Sequence, residues 1–84
     1  MILRKTYYPG GLPAVETQSI FDAAIAYVQV LMVARSGTLL NETESDAALQ
    51  DGGLFYQYNP SLGVLTFGYP FNQGEDITIV YKTI

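Results

Sequence analysis

The feature that most constrains this chain is a run of apolar alternation covering residues 53–82, punctuated twice by Pro and Gly. Side chains on a strand point to opposite faces with a period of two, so alternation over a few residues marks a half-buried strand. The pattern predicts strands over residues 54–59, 64–69 and 76–82, joined as a meander. Leu65, Phe67 and Tyr69 would share one face of the middle strand, and Ile77, Ile79 and Tyr81 one face of the last. Residues 59–63, Asn-Pro-Ser-Leu-Gly, make a short hairpin loop, and residues 69–75 a wider turn in which Pro fixes φ.

The rest of the chain supplies further strands with weaker signals. Residues 1–8 alternate, with Ile2, Arg4, Thr6 and Tyr8 on one side and Leu3, Lys5 and Tyr7 on the other, until Pro9-Gly10-Gly11 breaks the run. Such a segment is a first strand, or an arm that adds to a neighbour's sheet edge; the ordinary first strand is the simpler reading. Residues 12–18 read as a connector. Residues 19–26 are ambiguous: Ser19 followed by Asp22 resembles a helix start and Ala23, Ala24 and Ala26 favour helix, so either a short helical turn or an irregular strand fits. Val28, Val30 and Val33, with Leu31 and Met32 between, favour a strand over residues 27–34. Arg35-Ser36-Gly37 is a tight turn into a short strand at 38–40. Residues 41–53 are the most polar segment and read as the longest exposed loop, with room for one helical turn capped by Ser45.

Together these predict a single all-β domain over residues 1–84: a small antiparallel β-sandwich of about six or seven strands, with room for one short helical turn and with residues 1–12 as a first strand or arm. A chain of 84 residues with no cysteine has only a small apolar core, a partner or self-association to stabilise it. Hydrophobic residues make up 49% of the sequence, too many for a disordered chain.

The charge pattern narrows the function classes. A net charge of -4 and four scattered basic residues fit nucleic acid poorly, because phosphates call for clustered Lys and Arg. The longest apolar run, residues 23–34, is interrupted by Tyr27 and Gln29 and falls short of the ~20 residues of a spanning helix. With no histidine and no cysteine, the commonest general bases and the thiol nucleophile are missing, so no catalytic residue, cofactor site or metal site is expected. Glu42, Glu44, Asp46 and Asp51 offer oxygens of the kind that bind hard cations, but their spacing does not match a calcium loop, and a solubilising acidic loop is the simpler reading. Tyr7, Tyr8, Tyr56, Tyr58, Tyr69 and Phe71 are the candidate protein-interaction residues, since aromatic side chains dominate buried area in interfaces as they do in cores.

One longer pattern adds to this. An apolar strand leads into Arg35-Ser36-Gly37; Tyr56 and Tyr58 precede Asn59-Pro60; Val64-Leu65-Thr66-Phe67 follows; and Gly74-Glu75-Asp76 opens the final strand Ile77-Thr78-Ile79-Val80-Tyr81. Over residues 28–82 this resembles small β-sandwich modules of bacteriophage virion proteins, of the tail-fibre, tail-tip and head-fibre type. The resemblance implies a non-enzymatic structural protein, located in the virion, that self-associates as a homo-oligomer and docks on capsid or tail proteins, with no cofactor, no nucleic acid and no membrane span. The alternative it leaves open is a module at a fibre or spike tip that recognises a host-surface glycan or protein.

Overall fold

The alternation over the last strand is realised directly: Ile77 and Ile79 are fully buried and Tyr81 nearly so. The computed structural model describes residues 1–9, 18–51 and 53–83. It is all-β, with β1 (Ile2–Tyr7), β2 (Ser19–Phe21), β3 (Gln29–Arg35), β4 (Thr38–Glu42), β5 (Phe55–Asn59), β6 (Val64–Phe67) and β7 (Ile77–Lys82). A 3-10 turn, Ala23–Ile25, follows β2, and a short helix α1 (Asp46–Gln50) lies between β4 and β5. The expected break at Pro9-Gly10-Gly11 and the connector over 12–18 fall almost wholly outside the described residues.

The seven strands form one curled sheet in the order β1-β7-β3-β4-β5-β6-β2. The expected sandwich is therefore a half-barrel instead of two separate facing sheets. The cause is a two-residue parallel ladder between β4 and β5, pairing Asn41 with Phe55 and Glu42 with Tyr56. It stitches the leaf β1-β7-β3-β4 to the leaf β5-β6-β2. Parallel neighbours need a crossover connection, and α1 lies within it. Ser45 caps α1 as expected, its Oγ accepting from the Ala48 N–H at 3.2 Å.

The expected meander is overturned. β5 and β6 form the hairpin, but β7 leaves β6 and pairs antiparallel with β1 on one side and β3 on the other. The 68–76 connection carries the chain away, and Arg35 holds it. β6 ends at Phe67, two residues short of expectation, because Gly68 and Tyr69 bend toward that arginine. The ambiguous stretch 19–26 is half strand and half 3-10 turn; its cap is Asp22, whose carboxylate accepts from the Ala24 N–H, and not Ser19. β3 begins two residues later than expected, because Tyr27 sits in the left-handed region at φ 56°. Residues 1–8 complete their own sheet, with a six-pair register from Ile2 opposite Lys82 to Tyr7 opposite Ile77. The Ser36-Gly37 turn between β3 and β4 has both central residues at positive φ (48° and 82°), the type I′ geometry whose twist suits a two-residue hairpin.

The concave face holds the core. Val33, Leu65, Phe67, Ile77 and Ile79 are fully buried there, joined by Ile20, Leu40 and Tyr56. Ile25, also fully buried, packs into the same cluster from the 3-10 turn. Tyr58 fixes that turn: its hydroxyl donates to the Ile25 carbonyl at 2.5 Å and accepts from the Val28 N–H at 3.2 Å. Across the opening of the half-barrel, Lys5 and Tyr7 of edge strand β1 both reach the Asp22 carboxylate, just past edge strand β2. The Lys5 hydrogen bond, the Ala24 N–H and Tyr7 together hold the Asp22 carboxyl below the usual range. Burial, reinforced by the bond to Asp22, pushes the Tyr7 phenol up.

Candidate functional site

Two charged pairs are consumed by the fold, which narrows what remains for function. Arg35 and Glu75 form a buried bidentate pair, Nε to Oε2 at 2.9 Å and Nη2 to Oε1 at 2.8 Å. The same guanidinium donates to the carbonyls of Tyr69 (3.0 Å) and Pro70 (2.8 Å). Its Cζ lies 3.8 Å from the Tyr69 ring centroid and 5.1 Å from that of Phe71. Arg35 therefore clamps the 68–76 connection from four directions, a use of the planar fork that lysine cannot copy. Those bonds from Arg35, with the Asn72 N–H and Ser36 hydroxyl, hold the Glu75 carboxyl below its ordinary value.

The six aromatic candidates do not share a surface. Tyr56 and Phe71 are core residues, and Phe71 packs edge-on against Phe67 with centroids 5.3 Å apart. Tyr58 is half-buried with its hydroxyl committed to the 3-10 turn, and Tyr7 is half-buried and tied to Asp22. Tyr8 and Tyr69 are exposed, Tyr69 with one face over Arg35. Burial, and then the charge of neighbouring Glu42, pushes the Tyr56 phenol up to about 12.

The exposed surface that the fold does build lies around the β5–β6 hairpin. Phe21 pairs with Val64 across β2 and β6, and its side chain is 71% exposed. Tyr27, 66% exposed, donates its N–H to the Pro60 carbonyl at 2.9 Å, and Asp22 donates likewise to Gly63. These bonds bring exposed Phe21, Tyr27 and Leu62 to one hairpin tip. Gly63 is required at that crossing: its φ is +67°, and a Cβ there would meet the Asp22 carbonyl oxygen at 2.3 Å. Sequence reasoning missed this set. The only signal was the Ser19-Ile20-Phe21 alternation, which turns Phe21 outward once Ile20 is in the core.

Beside the tip runs an open groove of about 440 Å³. Val64, Thr66, Gln57 and Asn59 on the convex face of β5–β6 form one wall, with Leu62 at the tip end. Glu42, Glu44 and Asp46 form the opposite rim. Gln57 donates to Asp46 Oδ1 at 2.8 Å and Thr43 accepts from the Ser45 N–H at 3.1 Å, which fixes the rim against β5. The acidic residues do not converge: among the described residues no cluster of three or more Asp or Glu is placed to hold a metal ion. No described helix is long and apolar enough to cross a membrane. No protein-family model, curated protein or solved structure matches this chain.

Proposed function

We propose that this chain is a non-enzymatic structural component of a phage virion, acting by self-association and by docking on capsid or tail proteins. The observation that carries the reading is the built apolar tip formed by Phe21, Tyr27 and Leu62. Large side chains exposed together and fixed by backbone hydrogen bonds suit a contact surface, since exposed apolar patches commonly mark interaction sites. The resemblance of residues 28–82 to virion modules supplies the setting. Arg35, Glu75, Lys5 and Asp22, the charged groups brought into contact, each hold one part of the fold to another. The test is light scattering of the purified chain across a dilution series, with co-sedimentation on phage particles of known composition. A dimer or trimer mass that falls on dilution, or saturable binding to particles, supports the reading. A monomer at every concentration that binds no particle refutes it.

The groove favours one second reading, a host-surface glycan module. Its wall offers amides and hydroxyls from Gln57, Asn59 and Thr66, groups that pair readily with sugar hydroxyls. Saturable binding to a neutral bacterial polysaccharide, lost on Asn59→Ala, would favour it over assembly; no binding across a polysaccharide panel removes it.

A further inference from the structure

Two cations that form no ion pair among the described residues lie together on one flank. Ile2 is paired with Lys82 and Arg4 with Val80, so Arg4 and Lys82 are diagonal neighbours on the convex face of β1–β7. Both are exposed, and among the described residues neither makes an ion pair. Exposed Ile2 and half-buried Val80 lie between them. This flank is a small apolar strip bordered by two positive charges.

The groove is its counterpart. Glu42 and Glu44 are exposed and, among the described residues, unpaired, and Leu62 and Val64 supply apolar surface beside them. The two surfaces cannot meet within one chain. The β1–β7 flank and the β5–β6 wall of the groove are separated by β3 and β4 in the strand order, and the sheet curls between them until Lys5 on one edge strand reaches Asp22 beside the other. Each surface also repels its own kind, since flank against flank or groove against groove would oppose like charges.

We propose that the occupant of the groove is a second copy of this chain, docked head to tail, with the Arg4–Lys82 flank of one copy seated against Glu42 and Glu44 of the next. The proposal rests on the self-association reading above and names its two surfaces. Docked head to tail, the contact leaves one flank and one groove free at the ends, so copies grow as an open chain or close into a ring. The net charge of -4 opposes assembly at long range, but screening at about 0.1 M salt confines that repulsion to about 10 Å and leaves the local contact to decide.

The experiment uses two variants of the full chain, both altered only at exposed residues: Arg4→Glu with Lys82→Glu, and Glu42→Lys with Glu44→Lys. Circular dichroism checks that each retains the fold. By light scattering, wild type assembles on concentration, each variant alone assembles about tenfold or more weakly, and their equimolar mixture recovers assembly because every contact again joins opposite charges. Raising salt to about 0.5 M weakens the wild-type contact in the same direction. Assembly of both variants at wild-type strength overturns the proposal while leaving self-association standing through another face. A mixture that fails to recover also overturns it. A wild type that stays monomeric overturns it together with self-association, and particle co-sedimentation then decides whether docking survives; binding to a basic partner protein in place of a second copy would reassign the groove.

Discussion

Removing the charge of Glu75 should be the most damaging conservative change in the molecule. Arg35 is 3% exposed and Glu75 9% at the side chain, so the pair is screened little by water. Glu75→Gln keeps the shape but leaves the guanidinium buried without its counter-charge. It retains the Tyr69 and Pro70 carbonyls and the stacked Tyr69 ring, which soften the loss. Breaking a buried pair by removing one partner costs about 3–5 kcal/mol, and the surviving contacts place this case near about 3 kcal/mol. A domain of 84 residues has roughly 4–13 kcal/mol in total, so the variant should be close to its folding limit. At about 4–8 °C per kcal/mol, the midpoint of thermal unfolding should fall by about 12–24 °C. Urea unfolding followed by circular dichroism gives the free energy directly. The double variant Arg35→Met/Glu75→Gln should lose less than Glu75→Gln alone, because no charge is then buried. A loss under about 1 kcal/mol for Glu75→Gln, or a double variant worse than both singles combined, would refute the clamp as the holder of the 68–76 connection.

Acid should destabilise the protein. The Asp22 and Glu75 carboxyls titrate below their ordinary values in the folded state, so the stability they confer is present above about pH 4, the unfolded range, and drains away as pH falls through the folded values. A thermal midpoint measured from pH 7 to pH 2 should be flat and then drop below about pH 4, with a smaller drop in Glu75→Gln. Gly63→Ala should cost about 2 kcal/mol or more, from positive φ and the clash with the Asp22 carbonyl, whereas Gly74→Ala, also at positive φ but facing open space, should cost only about 1 kcal/mol; equal losses in urea titration would contradict the close approach. Tyr58→Phe should cost about 1–2 kcal/mol and raise hydrogen exchange at Val28, whose N–H loses its acceptor; unchanged protection there would detach Tyr58 from the 3-10 turn.

The strands were legible wherever alternation ran for four residues or more with one face in the core. Ile77, Ile79 and Tyr81 declare β7, and Leu65 with Phe67 declares β6, because burial selects every second side chain. Ser45 and the Ala47-Ala48-Leu49 run declare α1 by cap and propensity. Pairing partners were not legible. Nothing local in β7 distinguishes β6 from β3 as its neighbour; that choice is made by Arg35, forty positions from Glu75, holding the intervening connection in place. β2 is three residues long, too short for a period to show, and Tyr27 adopts a left-handed conformation that propensity assigns to glycine or asparagine. The surface was hidden for the same reason. Phe21, Tyr27 and Leu62 belong to three separate segments, and only the Asp22–Gly63 and Tyr27–Pro60 hydrogen bonds bring them together.

The edges of the sheet bear on how such a chain meets its neighbours. Among the described residues the half-barrel has two edges with no further strand, β1 and β2, and an open edge invites strand addition. Here β2 offers only three residues, and β1 carries Lys5 on its concave face, where a charge discourages a flat strand from lying alongside. Lys5 and Tyr7 are also bonded to Asp22 beside the opposite edge, so an incoming strand would have to break those contacts while entering the gap they span. Two copies pairing β1 antiparallel around its centre would set Arg4 or Lys5 against its own like charge. Each of these costs falls on the edges and none on the Arg4–Lys82 flank or on the groove rimmed by Glu42 and Glu44. If copies associate, association through faces therefore meets a lower barrier than strand addition, because Lys5 and Tyr7 latch one edge to Asp22 beside the other.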